Sequence, residues 1–186
     1  MSDSLPSPAL RRALRRLYVV RAGFTVVWAA LLISTGGAVG PLLTVLLVVY
    51  PLFDAASVFW QIRAEGGSRR AKASEWANVV VSTVVAIVLG WASTSPAVAL
   101  TVWGAWAIGA GLPQLITAIR NRRAGGQVPQ MLSGGISLFA GAAFLLQGLR
   151  GDGTIIGVAG YALLGAVFFL ISGIRLSAML RKRTAV

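Results

Sequence analysis

Six long apolar stretches constrain this chain of 186 residues more than any other feature of its sequence. A helix needs roughly 17 to 25 mostly apolar residues to cross a bilayer. The stretches that meet or approach this length are Tyr18–Thr35, Pro41–Ile62, Trp76–Ala92, Pro96–Ile119, Pro129–Leu149 and Thr154–Ile174. Isolated strands cannot cross lipid with unpaired backbone groups, and no barrel-like alternation runs through the chain. We therefore predict an all-α membrane protein with six transmembrane helices.

The composition also favours lipid over water as the environment of the chain. Apolar residues make up 56% of the sequence and charged residues only 12%, about half the charged fraction of a soluble domain. The chain contains seventeen Lys and Arg residues but five Asp and Glu residues. In a soluble protein this excess of positive charge would indicate nucleic-acid binding. Because the basic residues lie between apolar stretches, we predict that they set the membrane topology and that no nucleic acid is bound.

The basic residues predict which side of the membrane each end occupies. The turns at 34–40 and 92–96 are uncharged, whereas 63–75 and 120–123 are rich in Arg and Lys. The N-terminal segment adds four arginines and the C-terminal tail adds three basic residues, so placing all of these on one side leaves only Arg150 on the other. Positive charge stays on the cytoplasmic side. We predict a multi-pass protein of the cytoplasmic (inner) membrane with both termini in the cytoplasm.

Three regions follow from this pattern: a basic head at 1–17, a transmembrane domain at 18–180 and a basic tail at 181–186. In the head, three leucines share one helical face, opposite the basic residues Arg11, Arg12, Arg15 and Arg16. Such a helix would lie on the membrane surface and bind the anionic lipids of the inner leaflet through these arginines. The alternative is a disordered head that only sets topology.

An internal repeat is indicated by three spans that end alike, in Ile62-Arg63, Ile119-Arg120 and Ile174-Arg175. The three arginines are 57 and 55 residues apart, and the same offsets align Arg21, Asn78 and Ser133. We predict three parallel helical hairpins, at 18–63, 75–120 and 129–175, in a ring around an axis along the membrane normal. The alternative is that any three hairpins of similar length end in a cationic anchor.

Four short segments carry a resemblance to a known family. They are Arg21-Ala22-Gly23, Tyr50-Pro51-Leu52-Phe53-Asp54, Gly109-Ala110-Gly111-Leu112-Pro113 and Ser133-Gly134-Gly135-Ile136-Ser137. With six spans built as Gly-rich hairpins, the chain resembles the HdeD acid-resistance membrane protein family, whose members are short-repeat integral membrane proteins. The resemblance implies a role in envelope stress or acid tolerance, without an established enzymatic site.

Asp54 is the acidic residue that lies well inside a predicted span. It precedes Arg63 by nine residues, which places it about 13 Å deeper in the membrane. A carboxylate at that depth is costly unless it is paired or neutralised, and the long side chain of Arg21 is within reach from the first span. Asp54 and Arg21 are therefore a candidate structural ion pair or a proton- or ion-handling site, with a solvated crevice as a third reading. Asn78, Gln114 and Ser133 are candidates for interhelical polar contacts.

The ingredients of catalysis are missing from the sequence. The chain has neither Cys nor His, which excludes thiol chemistry and Cys/His metal sites. It also lacks an intramembrane aspartate pair, an H-E-x-x-H sequence, a G-x-S-x-G elbow and a phosphate-binding Gly-Lys motif. We predict a non-enzymatic protein without cofactor or metal.

The sequence is compatible with three functions. The first is an HdeD-like envelope protein, and the second is a small proton-linked transporter or channel that uses Asp54. The third is an accessory subunit whose glycine faces dock onto a larger complex. The candidate protein partners are correspondingly a second copy of the chain or another membrane protein.

Overall fold

The computed structural model describes residues 8–65, 69–120, 122, 128–151 and 153–184, with the backbone alone at 8, 69–74 and 182–184. Six α-helices account for most of these residues: α1 Pro8–Ser34, α2 Pro41–Glu65, α3 Arg69–Ala92, α4 Pro96–Arg120, α5 Val128–Arg150 and α6 Ile156–Thr184. Each contains a segment long and apolar enough to cross a membrane. The prediction of an all-α membrane protein with six spans is confirmed.

Local sequence explains where several of these helices start and stop. Pro8, Pro41 and Pro96 occupy the first positions of α1, α2 and α4, where a missing N–H costs nothing and the fixed φ suits a helix. After α1, Gly36 and Gly37 have φ values of 62° and 69°, a left-handed conformation that disfavours residues with a Cβ. The predicted turn at 34–40 therefore ends α1 through its glycines.

The described part of the N-terminal head is helical and belongs to α1. Residues 8–17 continue into α1 without a break, because no turn-forming residue interrupts the helical hydrogen bonds between Pro8 and Ser34. Arg11 is buried, whereas Arg12 and Arg16 are exposed. In the described part of the chain the head thus forms the first turns of α1, and its binding to anionic lipid stays a prediction. Residues 1–7 of the predicted head and 185–186 of the predicted tail lie outside the described residues.

The six helices form a closed ring. Each helix contacts its neighbours along the chain, and α6 packs back against α1. The closest packing joins α1 with α6, α2 with α3 and α4 with α5, which are the pairs between the predicted hairpins. Helices within one predicted hairpin contact each other less. The ring predicted from the repeat is present, and the main packing surfaces lie between its units.

The tightest contact, between α4 and α5, depends on small residues. A Cβ on Gly104 would lie 2.6 Å from the carbonyl oxygen of Gly141, and a Cβ on Gly141 would lie 2.8 Å from that of Gly104. Both distances are shorter than any real Cβ contact, so glycine is required at these two positions. In lipid, close backbone approach of this kind is a main source of helix association.

The two halves of the ring differ in character. We call the end at which α2, α4 and α6 finish the basic end, because Arg63, Arg120 and Arg175 lie toward the C-terminal ends of these helices. The half of the ring away from it holds a continuous apolar core. Its large members are Trp28, Leu32, Leu43, Leu46, Leu47, Leu89, Leu100, Trp103, Phe144, Ile155 and Val158. Side chains from all six helices therefore fill that half.

The tryptophans separate into two groups by their exposure. Trp28, Trp103 and Trp106 are buried, whereas Trp60, Trp76 and Trp91 are exposed near helix ends. Exposed tryptophans at span ends are typical of membrane interfaces. Large apolar side chains such as Val27 and Phe139 are also exposed on the outer surface of the ring, which suits contact with lipid.

Candidate functional site

A cavity of about 520 Å³ occupies the half of the ring nearest the basic end. All six helices contribute to its lining, and it is partly open. At one extreme it reaches Gln61, Glu75 and Gln130, which lie within two turns of the helix ends there. At the other extreme the lining stops at Tyr50, Trp106 and Tyr161. These three aromatic side chains form the floor of the cavity, above the apolar core.

The positions related by the predicted repeat meet in this cavity. Arg21, Asn78 and Ser133, which the repeat offsets align, all belong to its lining. The residues three positions earlier, Tyr18, Glu75 and Gln130, also line it. The floor residues follow nearly the same spacing. The cavity is therefore surrounded by corresponding faces of the three hairpins, as expected for units related by an axis along the membrane normal.

Asp54 and Arg21 form an ion pair in the wall of the cavity, through Arg21 Nη2 and Asp54 Oδ1. Their side chains are 16% and 12% exposed, respectively. The second carboxylate oxygen, Oδ2, accepts hydrogen bonds from Asn78 Nδ2 at 2.9 Å and Ser82 Oγ at 3.1 Å. Asp54 is thus held by one charged and two neutral donors. Such a set stabilises the ionised carboxylate at a depth where an isolated charge would be costly.

Two further contacts extend this network across the ring. Trp106 Nε1 donates to Ser82 Oγ at 3.2 Å, which connects α4 to the donors of Asp54. On the other side, the guanidinium carbon of Arg21 lies 4.2 Å from the centroid of the Phe169 ring on α6. A cation over an aromatic face gains electrostatic energy from the ring quadrupole. We call these contacts the Asp54 network, which joins α1, α2, α3, α4 and α6.

The predicted polar candidates have different partners in the structure. Asn78 bonds to Asp54, while Gln114 Nε2 approaches the carbonyl oxygen of Gln130 at 3.5 Å, the outer limit of a hydrogen bond. Ser133 lines the cavity without a direct role in the Asp54 network. One turn further along α5, Ser137 shares a hydrogen bond of 2.8 Å with the hydroxyl of Tyr161. Arg21, Asp54 and Asn78 are therefore brought together, whereas Gln114 and Ser133 lie elsewhere on the cavity wall.

Three members of this network, Ser82, Trp106 and Phe169, were not predicted from the sequence. Ser82 was detectable, since it follows Asn78 by four residues and must share its helical face. Trp106 was also detectable, because an indole N–H inside a membrane needs an acceptor. The contact of Phe169 with Arg21 could not be predicted from the sequence, because it joins α6 to α1 and these helices are far apart along the chain.

The side chains that line the cavity are suited to binding a polar solute. Among the residues that the structure describes, no three His, Cys, Asp or Glu side chains converge as metal ligands would. The charged side chains of the lining are Arg21, Asp54 and Glu75, surrounded by amides, hydroxyls and aromatic rings. Such a lining can hydrogen-bond a small polar solute and stack against it.

Comparison with known proteins found no relative of this chain. No protein-family model, no curated protein and no solved structure matches the chain. The resemblance to the HdeD family accordingly stays a prediction from the sequence.

Proposed function

We propose that this protein is a non-enzymatic transporter or channel for a small polar solute, in a conformation closed at the end away from the basic end. The observation that carries the proposal is a cavity of about 520 Å³ inside a ring of spanning helices, with charged and polar side chains in its wall and an apolar core on one side. Binding sites enclosed by repeated helical units near mid-membrane are a recurrent feature of transporters.

The sidedness of the cavity follows from the arginine distribution. The exposed Arg63, Arg120 and Arg175 lie at the end toward which the cavity extends. If positive charge is retained in the cytoplasm, this end is cytoplasmic, and both termini are as well. The proposed conformation therefore accepts solute from inside the cell.

Solute binding is better supported than a simple proton relay through Asp54. Protonation of Asp54 would weaken its attraction to Arg21 and leave a guanidinium charge without its counterion in the cavity wall. A proton cycle would then require Arg21 to move as well. Proton coupling remains a second reading, and it is tested by the same experiment.

The test measures flux into proteoliposomes that contain the purified protein. The informative variant is the double change Asp54→Asn with Arg21→Gln, which removes both charges and so avoids leaving either one buried alone. We expect wild-type protein to conduct at least one solute of a panel containing protons, potassium, acetate and guanidinium. The double variant should insert normally and lose that flux.

The control is Glu65→Gln, which removes a carboxylate whose partner is Gln61 on its own helix. Its flux should equal that of wild type. Absence of flux for every solute would overturn the transport function. Full flux in the correctly folded double variant would show that transport does not need the ion pair.

The physiological context that we propose is envelope stress or acid tolerance, as implied by the resemblance to the HdeD family. The support lies in the segments that carry the resemblance, since Arg21, Tyr50, Asp54 and Ser133 all line the cavity. A deletion strain should lose survival after acid exposure, and plasmid-borne wild type should restore it while the double variant should not. An unchanged survival curve would exclude this context.

The accessory-subunit alternative has less support. Glycines of α4 and α5 that were available for docking, including Gly104 and Gly141, are used in packing these two helices against each other. Copurification from native membranes with one stoichiometric partner would restore this alternative.

A further inference from the structure

The ion pair in the cavity wall is supported unequally on its two sides. Asp54 is fixed by Asn78 and Ser82, two neutral donors on α3, in addition to Arg21. The described contacts of the Arg21 guanidinium are Asp54 and the face of Phe169. If Arg21 moved away, the carboxylate would keep its orientation through α3. Asp54 is therefore a preorganised anion, and Arg21 is its exchangeable partner.

The surroundings of this carboxylate suit a cation. Although the chain carries a net charge of +12, the charged side chains of the described lining are two carboxylates and one guanidinium. The basic residues Arg63, Arg120 and Arg175 are exposed and lie outside that lining. Aromatic rings supply much of the remaining wall: Tyr18, Tyr50, Trp106, Phe168 and Phe169. Aromatic faces next to a carboxylate are the usual environment of bound organic cations.

We propose that Asp54 and Phe169 form a binding site for small guanidinium compounds, and that the side chain of Arg21 occupies this site in the structure described. This inference rests on the proposed function and specifies its solute class. A planar guanidinium donates N–H groups in its plane to a carboxylate and presents its face to an aromatic ring. The Arg21 side chain already makes both contacts, so an incoming guanidinium would take over the same two partners.

The first experiment removes the resident side chain. Purified Arg21→Ala protein in detergent should bind guanidinium chloride saturably in the millimolar range, detected as a rise in melting temperature over matched sodium chloride. Urea, the neutral molecule of the same shape, should give no rise. The double change Arg21→Ala with Asp54→Asn should abolish the response. Equal responses to guanidinium and urea, or an undiminished response in the double variant, would overturn the proposal.

The second experiment measures binding to wild-type protein, and one of its two comparisons needs no Arg21 variant. Equilibrium dialysis with radiolabelled guanidinium should show saturable binding at least about tenfold weaker than in Arg21→Ala, because a tethered competitor is present at high effective concentration. If Arg21→Ala cannot be purified, the matched comparison is Phe169→Leu, which removes the aromatic face and should weaken wild-type binding severalfold. Binding unchanged by Phe169→Leu would contradict the proposed site.

The two proposals fail in different ways. Proteoliposomes that conduct acetate or potassium, with no inhibition by guanidinium, would overturn the guanidinium site and leave the transport function standing. Guanidinium binding at Asp54 without flux of any solute would overturn transport and leave the site standing.

Discussion

At the residue scale, the central feature is the Asp54 carboxylate, which accepts hydrogen bonds from two neutral donors in addition to its ion pair with Arg21. Asp54 was identifiable from the sequence by its depth, and Arg21 by its reach. The helices that would supply the other donors were not identifiable, because hydropathy does not say which polar face turns inward. The hydrogen bonds of Ser82 and Trp106 are therefore seen only in the structure.

The energetic weight of the ion pair can be measured with a double-mutant cycle. Asp54→Asn alone should destabilise the protein by about 3–5 kcal/mol, because it leaves the Arg21 charge buried without a counterion. Adding Arg21→Gln should recover a large part of that loss. The measurement is unfolding in mixed micelles followed by tryptophan emission. Additive effects of the two changes would show that the charges do not interact.

Ser82 should matter more than its neighbour on the same helix. Ser82→Ala removes a donor to Asp54 and the acceptor of Trp106 Nε1, and we expect a cost of about 1–3 kcal/mol. Thr83→Ala is the matched control, since the described hydrogen bond of the Thr83 side chain goes to the carbonyl oxygen of Val79 on its own helix. The same unfolding measurement compares them, and equal stability of the two variants would exclude a structural role for the Ser82 link.

At the element scale, much of the fold was predictable because each span is defined by local sequence. The predicted and observed limits of α2, α4 and α5 agree closely. The predicted and observed limits differ more for α1 and α3, which begin before their apolar segments. Hydropathy marks the apolar segment of a helix and not the end of its backbone hydrogen bonds. The dominance of packing between hairpins was not predictable from the repeat alone.

The α4–α5 interface provides a matched test on a single helix. Gly141→Ala places a methyl group against the backbone of α4, so we expect a loss of about 1–3 kcal/mol despite the better helix propensity of alanine. Gly135→Ala faces open space and should be neutral or slightly stabilising. Thermal unfolding in detergent distinguishes them. A neutral Gly141→Ala would show that α4 and α5 separate readily.

At the scale of the whole molecule, the orientation in the membrane is the property that the helices alone do not fix. The arginine distribution predicts it, and the chain is well suited to a labelling test because it contains no cysteine. Thr94→Cys lies in the turn after α3, and Arg122→Cys lies between α4 and α5; both positions are exposed.

An impermeant maleimide should label the Thr94→Cys protein in intact cells. It should label the Arg122→Cys protein only after the membrane is permeabilised, because the basic end is predicted to be cytoplasmic. The opposite pattern would invert the topology and place the mouth of the cavity outside the cell.

As a water-filled entrance to a transport site, the cavity would also change where the membrane voltage acts. A polar cavity that extends inward from one surface carries that surface's potential with it, so the voltage drop is concentrated across the apolar core on its far side. Moving one elementary charge through the full potential involves about 2.3 kcal/mol per 100 mV. A cation released from Asp54 across the floor formed by Tyr50, Trp106 and Tyr161 would meet most of that electrical work within a few helical turns. The molecule would then behave electrically as a membrane thinner than the one it spans.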